Sequence, residues 1–125
     1  MSIEEELRTL IERNYLKLLD QLASLTRLLD ARDQRGGLGH GPIIEAQGLT
    51  HQMKGAAGTI GFGAMGAAAA ALDESLRRLL TRDRSIPADQ LKHPLALLSA
   101  LQRAAGETAP ENSTLYKADL SQFAR

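Results

Sequence analysis

Apolar residues recur along most of the chain at spacings of three, four and seven, the pattern of helices that each bury one face. Leu7, Leu10, Ile11, Leu18, Leu22, Leu25 and Leu29 predict one long helix over about Ile3–Arg32. Leu16, Leu19 and Leu28 widen its apolar face, so it should meet more than one neighbour. Ser2 followed by Glu5 is a capping-box signature at its start, and acidic residues fill the positive end of its dipole. Asp33–Pro42 is punctuated by glycine and proline and reads as a loop. A second helix is predicted from about Pro42 to Ile60, broken by Gly61-Phe62-Gly63. A third spans about Ala64–Arg82, with Met65, Ala69, Leu72, Leu76 and Leu79 inward. A fourth, about Ala88–Ala105, carries Leu91, Leu95, Leu98 and Leu101, and Pro94 inside it is expected to kink or divide it. The default arrangement is an all-α, up-and-down antiparallel four-helix bundle over residues 1–106. The polar tail, residues 107–125, is either disordered or a short helix packed back through Leu115, Tyr116, Leu120 and Phe123, with the short helix preferred.

Composition sharpens this picture by exclusion. The 125 residues suit one domain, and 43% are hydrophobic but only 3% aromatic, which fits close-packed helices better than a sandwich. Fifteen basic residues balance fifteen acidic ones, so a dedicated nucleic-acid binder is not expected. The absence of cysteine excludes disulfides, thiolate metal sites and thiol nucleophiles. Met1-Ser-Ile-Glu lacks the pattern of a signal peptide, and no run approaches the roughly 20 apolar residues that cross a bilayer. A cytoplasmic, monomeric domain without membrane contact is the expectation.

The second helix holds the candidate chemistry. On a wheel of about 100° per residue centred on Leu49, Met53, Ala56 and Ile60 lie within about 40° and form the expected buried stripe. His51 falls at about 200°, facing solvent, amid Ile44, Gln47, Gly48, Lys54, Gly55 and Gly58. Gly48, Gly55 and Gly58 are interior to the helix, and together they cost roughly 2–3 kcal/mol against alanine. In return they leave bare backbone beside His51, where another protein can approach. Lys54, one turn on, can bring positive charge to a group held there. The plainer interpretation is an incidental surface histidine beside glycines that serve helix packing.

The run His51-Gln-Met-Lys54-Gly55-Ala-Ala-Gly58-Thr-Ile-Gly61 closely resembles the phosphorylation motif of histidine-containing phosphotransfer (HPt) domains. That pattern is His, any residue, an apolar residue, Lys, Gly, then five residues and Gly. The likeness extends over about residues 15–105, with one departure at Ala56, where many members carry serine. The resemblance implies a phosphorelay intermediate on a four-helix bundle. His51 would take a phosphoryl group from a receiver-domain aspartate and pass it to another receiver. Lys54 would offset phosphate charge, while Ile44, Gln47, Gly48, Gly55 and Gly58 would meet the partner. Gly61 would end the helix in a conformation that glycine tolerates. Leu38 could extend the docking surface from the neighbouring loop, whereas Phe62 is assigned to the core. Response-regulator receivers and a hybrid sensor histidine kinase are the implied partners. Magnesium would belong to the receiver, so no cofactor is expected here, and the chain would be a phosphoryl carrier rather than an enzyme.

Other readings fit less well. A sensor kinase's phosphoacceptor helix usually places an acidic residue after the histidine and a proline four positions further on, but Gln52 follows His51 and that proline is absent. A bundle metal site needs Glu-x-x-His pairs, and neither His51 nor His93 has Glu three residues before it. His40 and His93 are expected to be solvated or structural. Arg77, Arg78, Arg82 and Arg84 form a basic cluster that Asp73, Glu74 and Asp83 dilute, so it reads as a solvated face. The alternative function is a receiver-binding interaction module that has kept the fold and lost phosphotransfer.

Overall fold

The computed structural model describes residues 2–81 and 85–116. Four helices account for most of them: α1 (Ile3–Asp30), α2 (His40–Thr59), α3 (Gly63–Leu80) and α4 (Ala88–Gly106). A 3-10 turn, Pro110–Asn112, follows. Each helix packs against the next and α1 also meets α4, which closes a four-helix bundle. Contacts along paired helices fix their directions. Gly66 of α3 approaches the Gly58 backbone of α2, while His51 lies opposite Asp73 farther along, so these two helices are antiparallel. Tyr15 bonds to the Thr108 carbonyl and Gln102 to Thr26, so α1 and α4 oppose one another too.

Local chemistry explains the helix ends. Ser2 caps α1 by accepting from the Glu5 amide at 3.1 Å, as its spacing predicts. Pro42 sits in the first turn of α2, where a missing N–H breaks no helical bond. Gly61 terminates α2 with φ of +84°, and Thr114 lies where a Cβ would stand, so conformation and space both require glycine.

The core is aliphatic: Ile11, Leu18, Leu25, Met53, Leu72 and Leu101 are all fully buried. Phe62 joins it, with its ring 5.9 Å from that of Tyr15 in an edge-on contact.

Several expectations need correction. Leu16 and Leu10 remain exposed, because α1 outreaches α2 and is covered only along one stripe. Leu38 is buried rather than part of a docking surface, because its backbone pairs with Ile86 from the α3–α4 connection. Pro94 does not divide α4, and its ring is buried in the bundle, so it acts as a core side chain. In the tail, Ser113 is buried and Leu115 and Tyr116 pack against the core, although only a single 3-10 turn forms. Leu120 and Phe123, and with them Arg82, Asp83 and Arg84, lie outside the described residues. No helix among the described residues is long and apolar enough to cross a membrane.

Candidate functional site

The buried face of α2 consists of Ile43, Ala46, Thr50, Met53, Ala57 and Ile60, whereas Leu49 and Ala56 are only half-buried. The stripe is therefore turned by about 70° from a centre on Leu49, towards His51. The Thr50 hydroxyl can occupy its middle because it returns a hydrogen bond to the Ala46 carbonyl. His51 consequently lies at the edge of the α2–α3 seam instead of diametrically opposite the core. Its side chain keeps 55% of its surface exposed, yet it reaches α3.

What it reaches is Asp73. This residue shares the stripe of Ala69, Leu72 and Leu76 on α3, and its carboxylate is only 3% exposed. Burial of a charge is costly unless it is bonded and paired, and Asp73 is both. Gln47 Nε2 donates to Oδ1 at 2.8 Å, and Lys54 Nζ donates to Oδ2 at 3.1 Å. His51 Nδ1 lies 3.4 Å from Oδ2, and Arg77 Nη2 lies 3.5 Å from the same oxygen. Arg77 Nη2 is also 3.1 Å from His51 Nδ1. Burial by itself would raise the Asp73 carboxyl, but the bonds from Gln47 and Lys54, the contact with His51 and the charge of Arg77 outweigh it and hold the group below the usual carboxylate range.

Lys54 and Arg77 bring two cations to one carboxylate, so the cluster presents a surplus of positive charge beside an exposed imidazole. Nε2 of His51 makes no hydrogen bond among the described residues, in contrast to Nδ1. An arrangement of this kind can orient an imidazole through one nitrogen and offer the other to an anionic group.

Of the residues singled out from sequence, His51, Lys54 and Gln47 converge on Asp73. Gln47 spends its amide inside this cluster instead of standing on a rim. Ile44 is exposed two turns before His51. A Cβ at Gly48, Gly55 or Gly58 would meet nothing within 4 Å, so packing within the bundle does not require these glycines. A Cβ at Gly66 would touch Gly58 and Ala57 of α2 at ordinary van der Waals distance, so Gly66 lies on the α2–α3 seam. Beside Gly48 a groove of about 580 Å³ runs between α1 and α2, lined in part by Leu28 and Leu49.

Spacing along the sequence does not mark Asp73 and Arg77 as parts of the site. Their neighbours suggest a diluted, solvated charge cluster, a description that the surface pair Arg78–Glu74, 2.8 Å apart, does fit. The available signal was register, because a carboxylate spaced with Ala69, Leu72 and Leu76 must be buried and must find partners. No group of three or more His, Asp or Glu residues suited to a metal ion occurs among the described residues. No protein-family model, curated protein or solved structure matches the chain.

Proposed function

We propose that this chain is a histidine phosphotransfer protein of a phosphorelay, with His51 as the phosphoacceptor. The observation that carries the reading is a half-exposed imidazole beside a buried, ion-paired carboxylate, on a helix face cleared by glycine. With its proton on Nδ1, His51 donates towards Asp73 and leaves the Nε2 lone pair free. That lone pair attacks the phosphorus of an aspartyl phosphate on a receiver domain. The N–P bond forms as the P–O bond to the aspartate breaks, and the carboxylate departs with the electron pair. The ring is left with positive charge, which the Asp73 carboxylate faces and offsets. The same steps in reverse deliver the group to a second receiver.

Phosphoryl transfer asks chiefly for positioning and charge compensation, and these residues offer both. Lys54 spends one of its three donors on Asp73, and the others can meet phosphate oxygens. Ile44 and the bare backbone at Gly48, Gly55 and Gly58 suit close docking, with the α1–α2 groove alongside. The partners in this reading are receiver domains and a hybrid sensor histidine kinase, magnesium is held by the receiver, and the chain acts as a cytoplasmic monomer.

The test is incubation with a phosphorylated receiver, followed by assay for acid-labile, alkali-stable phosphate on the chain. Label on the wild type and none on His51→Gln is the expected result. Undiminished labelling of His51→Gln, or no acceptance from any receiver, overturns the reading in favour of a non-catalytic receiver-binding module or an unrelated role.

A further inference from the structure

Two groups of opposite hydrogen-bonding character converge on one ring nitrogen. Arg77 Nη2 lies 3.1 Å from His51 Nδ1, and Asp73 Oδ2 lies 3.4 Å from it. A guanidinium only donates, and an ionised carboxylate only accepts. Arg77 can therefore bond Nδ1 only when that atom presents its lone pair, which places the ring proton on Nε2. Asp73 can bond Nδ1 only when the proton is there, which leaves the lone pair on Nε2. The two bonds exclude each other, and they have opposite effects on the nitrogen that faces outward.

We propose that Arg77 is a tautomer latch, a positioning residue that at rest donates to Nδ1 of His51 and keeps the proton on Nε2. The latch opens when an anionic phosphoryl group draws the guanidinium away and hands the ring to Asp73. This deepens the phosphorelay reading and rests on it for its consequence, since only the open form offers a nucleophilic Nε2. The Arg77 contact is the shorter of the two, so the resting geometry is the latched one. Arg77 is also the partner free to leave, with 54% of its side chain exposed, while Asp73 is buried and fixed by Gln47 and Lys54. The charged groups that face the ring are Lys54 from α2 and Asp73 and Arg77 from α3. On opening, Nδ1 takes a proton from water and Nε2 gives one back, so the ring carries no net charge before or after the change.

The tautomer is read directly by long-range ¹H–¹⁵N spectra of His51 in the full chain at about pH 8.5, where imidazoles as a class are neutral. The wild type should be mainly protonated on Nε2. Arg77→Met should move the tautomer ratio about tenfold towards Nδ1–H, the size expected for loss of one charged hydrogen bond. Arg77→Lys keeps a cationic donor and should return part of that change. A wild type mainly protonated on Nδ1 overturns the latch without any variant, and so does an unchanged ratio in Arg77→Met. Labelling by a phosphorylated receiver, run on the same samples, separates the two ideas. Labelled His51 with an unmoved tautomer sinks the latch alone, whereas a moved tautomer with no label sinks the relay reading.

Discussion

Asp73 is the residue on which the site turns, and it was the least conspicuous in the sequence. Its neighbours Glu74, Arg77 and Arg78 suggest a solvated charge run, and only the pairing of α2 with α3 brings it beside His51, 22 positions away in sequence. His51 and Lys54 were legible because they lie four residues or fewer apart on one helix. Contacts that depend on which helix packs against which face cannot be read from spacing along either helix. The ion pairing of Asp73 has a consequence in acid. A carboxyl held below its unfolded value contributes stability above the unfolded pKa of about 3.9, and the contribution is lost as pH falls through the folded value. Between about pH 5 and pH 3 the wild type should therefore lose stability in urea faster than Asp73→Asn, which has no such proton to take up. Parallel losses in the two proteins would show that the carboxylate contributes nothing in the folded state.

At the scale of elements, the helices and their ends follow from local rules, and the orientation of α2 does not. Ser2, Pro42 and Gly61 mark boundaries that the structure keeps to within a few residues. The wheel centred on Leu49 fails because α2 is rich in alanine and glycine, so its few large side chains define its inner face poorly. The seam with α3 is set instead by small residues, with Gly66 against Gly58 and Ala57. The outward glycines are a different matter, being intrahelical positions with open space before them. Gly55→Ala and Gly58→Ala should each stabilise the bundle by about 0.5–1 kcal/mol in urea denaturation. In the phosphorelay reading the same methyl groups should slow transfer from a receiver by crowding the docking face. Variants that are less stable than wild type would mean that the glycines serve the bundle after all.

On the scale of the whole molecule, both ends of the bundle are tied by segments outside the helices. At one end Ser113 donates to the Ile60 carbonyl, and the Thr114 amide donates to the Gly61 carbonyl at 3.1 Å, binding the tail to the α2–α3 turn. This explains why a polar stretch with a single 3-10 turn still belongs to the folded unit, which composition alone does not convey. At the other end the α1–α2 and α3–α4 connections exchange backbone hydrogen bonds, Leu38 N–H to the Ile86 carbonyl at 2.9 Å and Ile86 N–H to the Leu38 carbonyl at 2.8 Å.

The Leu38–Ile86 pair makes two loop amides report on global opening. Each amide is buried and bonded to the other hairpin, so neither can exchange with deuterated water by the small local motions that expose most loop amides. They can be released only when the α1–α2 and α3–α4 halves separate. Native-state hydrogen exchange should accordingly find Leu38 and Ile86 as slow as amides at the centre of α3, while Arg35, whose amide bonds only to the Asp33 side chain nearby, exchanges orders of magnitude faster. Exchange of Leu38 and Ile86 as rapid as that of Arg35 would mean that the two halves part while each remains folded, and that the bundle is cooperative within its hairpins but not between them.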